Sequence, residues 1–263
     1  MTRQEREVLR DTRSSSEDRG GERQERRVSS GVEGLDTLLH GGFLPGRNIL
    51  VSGPCGSGKT TLATQFLWKG VEEGETCLYV SLEESKKKLY EDMARLGFDF
   101  AKMEASGRFR FIGGPLAKVT HYMSKVNAKP HHLISEIEEV IRELGVTRVV
   151  IDSLTLFSMV LTSNEERRLA LAALGNMLSA RRVTSLLLAE TKEGSFEVST
   201  YGIEEFIADG VVALYNIRRG ATFVPGIVVR KLRGSDHDRE IRLVKVTEKG
   251  VVVFPEETLF TDV

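Results

Sequence analysis

Residues 53–60 read Gly-Pro-Cys-Gly-Ser-Gly-Lys-Thr and follow the apolar run Ile49, Leu50, Val51. A glycine-spaced loop ending in Lys-Thr at the mouth of a buried strand imposes a strand–loop–helix turn. Only glycine at Gly53, Gly56 and Gly58 lets the backbone curl so that successive N–H groups point inward. Those groups, with the positive end of a helix starting near Gly58, form a cradle for phosphate oxygens. In such a cradle Lys59 reaches the β- and γ-phosphates, and the Thr60 hydroxyl ligates Mg²⁺. A glycine-rich turn without a ligand is the bland alternative. The agreement of every spaced residue and both flanks disfavours it.

The 263 residues suit one α/β domain with a tail, or at most two small domains. Lys+Arg total 37 against 38 Asp+Glu, so there is no global electrostatic case for nucleic acid or an anionic membrane. Two cysteines, Cys55 and Cys77, are too few for a disulfide framework and fit a reducing cytoplasm. No apolar stretch is long enough to span a bilayer, and the N-terminus has no signal-peptide core, so a cytoplasmic protein is expected.

Residues 1–28 hold eight Arg and seven acidic residues with few apolar ones, and read as a flexible charged tail. Residues 29–263 carry the globular pattern. Apolar runs near 49–51, 76–82, 148–151 and 185–189 read as strands buried on both faces. Helical stripes lie between them, such as Leu133, Ile137, Ile141 and Leu144. This alternation predicts an α/β fold with a mainly parallel central sheet flanked by helices. The stretches 211–217, 224–232, 240–247 and 251–254 predict C-terminal antiparallel hairpins, with a turn at Lys249-Gly250.

Asp152 ends one buried run, at the strand edge where α/β sheets place ligands, and can hold Mg²⁺ or a metal-bound water. Its bland reading is a cap for the next element. Glu83 and Glu84 follow another buried strand. They suit either polarisation of an attacking water or favourable pairing with a helix N-terminus. Lys231 and Arg233 lie two apart on a strand and share a face. Such a pair is either a solvated edge or an anion contact, with Arg233 as an arginine finger.

Together these features resemble the KaiC-like branch of the RecA superfamily. The resemblance rests on Ser-Ser-Gly-Val-Glu-Gly-Leu-Asp-Thr-Leu-Leu at 29–39, Gly-Gly-Phe-Leu-Pro-Gly-Arg at 41–47, and Tyr-Val-Ser-Leu-Glu-Glu-Ser at 79–85. It continues in Arg-Val-Val-Ile-Asp-Ser at 148–153, Tyr-Gly-Ile-Glu-Glu-Phe-Ile-Ala-Asp-Gly-Val-Val at 201–212 and Lys-Leu-Arg-Gly-Ser-Asp-His at 231–237. It implies a RecA-like P-loop ATPase core that assembles as a homo-oligomer, usually a hexameric ring, with ATP between subunits. Gly53, Gly56, Ser57, Gly58, Lys59, Thr60 and Thr61 would hold phosphates. Thr60, Asp152 and Glu83 would surround the metal, and Glu83 and Glu84 match the family's catalytic glutamate pair. Lys231, Leu232, Arg233, Ser235 and His237 match positions that reach a neighbour's nucleotide.

The best-known members carry two such domains in tandem, and this chain carries one, like the single-domain KaiC-like ATPases common in archaea. Residues 236–240 contain no hydroxyl where tandem members are phosphorylated, which speaks against self-phosphorylation. The expected role is a slow regulatory or signalling ATPase read by a protein partner. A DNA recombination or repair accessory is the alternative; a non-hydrolysing ATP-gated scaffold is a third reading. The loops expected to line a ring pore, 154–160 and 191–197, offer one Lys against two Glu, a poor track for DNA.

Overall fold

A computed structural model of the chain describes residues 26–114 and 131–259. Most of the segment read as a charged tail lies outside them, as does most of the weakly patterned loop before Leu133. The domain already takes hold at Val28, which is buried and bridges Phe43.

In chain order the elements are α1 Leu35–Leu38, β1 Asn48–Gly53, α2 Lys59–Glu72, β2 Cys77–Ser81, α3 Lys86–Arg95, α4 Phe100–Ala105 and β3 Phe109–Gly113. Then come α5 His131–Leu144, β4 Arg148–Asp152, α6 Leu154–Met159, α7 Asn164–Ala180, β5 Thr184–Glu190 and a 3₁₀ turn at Glu204–Phe206. Strands β6 Gly210–Arg219, β7 Thr222–Leu232, β8 Arg242–Thr247 and β9 Gly250–Thr258 end the domain.

The nine strands among the described residues join one sheet in the order β3-β2-β4-β5-β1-β6-β7-β8-β9. Pairings up to β6 are parallel; β6 to β9 pair antiparallel, as the hairpin pattern predicts.

Successive residues of the central strands face opposite sides of the sheet. Ile49, Val51, Tyr79 and Val150 pack into one core beside α2, α3 and α4. Leu50, Leu78, Val149 and Ile151 pack into the other beside α5, α6 and α7. Helices cover both faces, so these strands are apolar throughout rather than alternating.

Two elements differ from the sequence reading. Residues 154–159, expected as a pore loop, form α6: Ser153 Oγ caps it by accepting the Leu156 N–H, and Leu154 and Phe157 are buried one turn apart. Phe157 therefore packs into the core. Helix α4, unmarked in the sequence, starts where Asp99 accepts the Lys102 N–H and buries Phe100 and Met103.

Candidate functional site

Strands β2, β4, β5 and β1 are neighbours, and their C-terminal ends bring Ser81, Asp152, Glu190 and Gly53 to one edge. Open α/β sheets bind ligands at the carboxyl ends of their strands, and the order reverses here between β2 and β4. Glycine is required in the loop that leaves β1. Gly56 and Gly58 have φ of 75° and 95°, which side-chain-bearing residues rarely adopt. A Cβ on Gly53 would come within 2.7 Å of Ser57 Oγ and 2.9 Å of the Leu214 carbonyl oxygen.

Helix α2 begins at once behind this loop. Its N-cap, Gly58, supplies no capping side chain, and its first turn contains no acid. The unpaired N–H groups and the positive helix end thus stay available to an anion. Ser57 Oγ is buried without a partner among the described residues. These features fit a phosphate group. Thr61 is buried in the same first turn.

Lys59 Nζ donates to the Gly53 and Pro54 carbonyls at 2.8 and 2.9 Å, so the buried ammonium is held by its own loop. Burial lowers its pKa, against the opposing pull of Glu190 and Asp152. Thr60 Oγ1 donates to Asp152 Oδ2 at 3.2 Å, and Tyr79 donates to the same oxygen at 2.7 Å. Burial raises the Asp152 carboxyl above the ordinary range, although both hydroxyls and Lys59 oppose the rise.

Among the described residues no cluster of three or more His, Cys, Asp and Glu could cage a metal. Mg²⁺ needs no such cage, since it keeps waters and phosphate oxygens and takes one or two protein ligands. The Thr60–Asp152 pair fits that demand.

The adjacent glutamates part company. Glu83 keeps solvent contact, but its surroundings remove part of its hydration. That loss, followed by the charges of Asp152, Glu190 and Glu84, raises its pKa. Glu84 instead turns to Lys88 Nζ at 2.5 Å, while its backbone exchanges hydrogen bonds with Ser81 Oγ. Glu83 is therefore the carboxylate that faces the acidic edge of the site.

Glu190 escaped the sequence reading. It pairs in register with Gly53, and Thr155 and Thr200 hydrogen-bond its backbone on either side. The only signal was its position at the end of an apolar run, which it shares with Asp152. Cys55 is exposed in the loop; burial pushes the Cys77 thiol up to about 12 and leaves it inert.

The structure does not bring the second set of residues to this edge. Strand β7 runs back from it, and Leu232, which is buried, pairs with Gly210, itself opposite Ile49 at the start of β1. Lys231 Nζ donates to the Ala208 carbonyl at 2.6 Å. Arg233 pairs with Asp209 at 3.6 Å, and Ser235 accepts from Arg27 at 2.9 Å. His237 is buried, and neither ring nitrogen has a partner among the described residues. A groove of about 490 Å³ lies at this far end, lined in part by Asn48, Asp209 and Arg233.

Secondary features resolve simply. Lys86, Lys87 and Lys88 pair with Glu104, Glu91 and Glu84 on a solvated helix face. Arg181 pairs with Glu138, and Trp68 packs edge-on against Phe98. No helix among the described residues is long and apolar enough to cross a membrane.

Comparison with known proteins bears on this geometry. The family described as "ATPase: KaiC" matches residues 28–258. The chain is 32% identical over 230 residues to the circadian clock protein KaiC3 of Synechocystis, covering 87% of this chain but 46% of that one. It spans about half the length of that relative. It is 31% identical to a UPF0273 protein of Pyrococcus furiosus, covering 89% of this chain and 96% of that protein. The crystal structure of a KaiC-like protein from Pyrococcus horikoshii superposes with a TM-score of 0.78 at 33% identity, over 88% of this chain and 99% of the other.

Proposed function

The chain belongs to the KaiC family of RecA-type P-loop ATPases, and from that premise we propose that it hydrolyses ATP at sites shared between copies of itself. The observation that carries this reading is the separation of the two halves of the site. The cradle, Lys59, Thr60, Asp152 and Glu83 gather at one edge of the sheet. Lys231 and Arg233 sit at the other, out of reach of their own phosphate loop. A head-to-tail contact between copies would join the halves, and such contacts form a ring where the rotation between copies closes.

Each residue then has a task. Lys59 exchanges the Gly53 and Pro54 carbonyls for phosphate oxygens. Thr60 and Asp152 would hold Mg²⁺, which would supply positive charge against the phosphates when bound with the nucleotide. Glu83 accepts a proton from the attacking water, a role suited to its raised pKa. Arg233 of a neighbouring copy meets the charge that develops on the γ-phosphoryl group. A nucleotide-dependent change in assembly, read by a protein partner, gives the chain its regulatory role.

The test pairs ATP turnover with a mass measurement of the full chain, with and without ATP and Mg²⁺. A ring-sized particle in the presence of ATP and turnover abolished by Lys59→Ala are expected. A single-copy particle with full turnover would overturn the shared site. ATP-dependent assembly with no turnover would identify a scaffold instead.

A further inference from the structure

Arg47 and the phosphate loop occupy opposite ends of one strand. Arg47 immediately precedes β1, and Pro54 immediately follows it. Six residues of strand span about 20 Å, so Arg47 cannot reach a nucleotide in its own cradle. Its guanidinium instead shares a single oxygen with Arg233. Asp209 Oδ1 lies 3.4 Å from Arg47 Nη1 and 3.6 Å from Arg233 Nη1.

Asp209 is anchored on every side. Its Oδ2 accepts the Asn48 N–H at 3.2 Å, its own N–H reaches the Asn48 carbonyl at 2.7 Å, and its carbonyl accepts the Arg233 N–H at 2.9 Å. The Asp209 side chain is 16% exposed, whereas those of Arg47 and Arg233 are 42% and 58% exposed. Two guanidinium groups on one carboxylate leave a net positive charge, with most of their donors free to face outward. This is the composition of a receptor for a multiply charged anion. Next along the chain, Gly234 turns with φ of 78°, a conformation that favours glycine and leads the chain away behind Arg233.

We propose that Asp209 is a positioning residue that presents Arg47 together with Arg233 as a two-arginine clamp on the triphosphate bound by a neighbouring copy. The proposal rests on the shared-site reading and adds to it a second contacting cation and the carboxylate that aims both.

Mixed assemblies of full-length chains test it. Arg47→Ala, Arg233→Ala and Lys59→Ala are each assayed for ATP turnover alone, and each arginine variant is then mixed with Lys59→Ala. Melting curves confirm folding, and Arg47→Lys repeats the test with the charge retained. The expected result is at least a tenfold loss for Arg47→Ala alone. Activity should return on mixing, because the intact cradle of one variant meets the intact clamp of the other. Arg47→Lys should restore only part of the rate, since an ammonium cannot grip two phosphate oxygens in the plane of a guanidinium.

Asp209→Asn retains an acceptor for the Asn48 N–H but loses its hold on the clamp. It should lower kcat severalfold while leaving ATP binding to the cradle unchanged, a split that a loss of fold would not give. Arg47→Ala at full rate beside an impaired Arg233→Ala would overturn the clamp and leave the shared site standing. Arg47→Ala impaired but unrescued by mixing would assign it a role within its own copy and overturn the clamp too. Both arginine variants at full rate would overturn the clamp and the shared site together.

Discussion

Tyr79 donates its phenolic hydrogen to Asp152 Oδ2 at 2.7 Å, from β2 to the neighbouring β4, and both side chains are buried. The same oxygen accepts from Thr60, so the hydroxyl that tops α2 and the ring beneath the sheet edge hold one carboxylate between them. Removing the phenol with Tyr79→Phe preserves the packing of Tyr79 on Phe111 and frees Asp152 to rotate. Outer partners of this kind set metal affinity, and their loss typically costs about 10–100-fold. Titrating ATP turnover with Mg²⁺ should show that much more metal needed for half-maximal rate. An unchanged Mg²⁺ requirement in a folded variant would mean that Tyr79 does not orient the carboxylate.

The two glutamates are expected to separate in a kinetic assay. Glu83→Gln should reduce turnover by about 10²–10⁴ while ATP still binds. Glu84→Gln should have a smaller effect, because that carboxylate is already committed to Lys88. The pH profile follows from the same geometry. Lost hydration first, and the Asp152, Glu190 and Glu84 charges after it, raise the Glu83 pKa above 4.5. A general base works only when deprotonated. The rate should be full above the raised value and decline as the pH falls through it, giving an acid limb at higher pH than a free glutamate would produce. A pH–rate profile of the wild type beside Glu84→Gln measures this. A limb at or below 4.5 would remove Glu83 from the role of base.

Much of this site can be read directly from residue order. The phosphate loop, Asp152 and the glutamate pair are each adjacent to an apolar strand, so local chemistry and position coincide. The alternating β and α signals were equally legible, because strands covered on both faces are apolar without interruption. Other features depend on pairings between segments far apart in the chain. Glu190 joins the site only because β5 lies beside β1 in register, and no spacing rule announces that neighbour. Asp209 carries no local mark of its partner, and only the antiparallel return of β7 sets Arg233 beside it. Helix α6 was missed for the opposite reason: six residues are too few for a helical period to stand out, and its start depends on one capping serine. His237, expected from resemblance to face a neighbour, is buried within its own copy, a burial that sequence position alone cannot convey.

Away from the site, Arg148 at the start of β4 makes the clearest prediction about stability. Its side chain is fully buried, an unusual place for a guanidinium. It pairs with Glu73 at 2.6 Å and Glu75 at 2.7 Å, donates to the Ser29 and Phe66 carbonyls at 2.8 and 3.0 Å, and lies over the Phe66 ring. Arg148→Met fills similar space but strands those acceptors, and should destabilise the fold by about 3 kcal/mol near neutral pH. The deficit should also depend on pH. Burial by itself would raise the Glu75 carboxyl, yet the hydrogen bond and charge of Arg148 outweigh it and leave the native pKa below 4.5. The stabilisation from this pair is therefore complete above the unfolded value and is lost as the pH falls through the lowered native one. Urea unfolding of wild type and Arg148→Met from pH 7 to pH 3 should show the gap narrowing on acidification. A gap of constant size would mean that Arg148 acts through its packing and its two carbonyl contacts, with the glutamates contributing nothing to the fold.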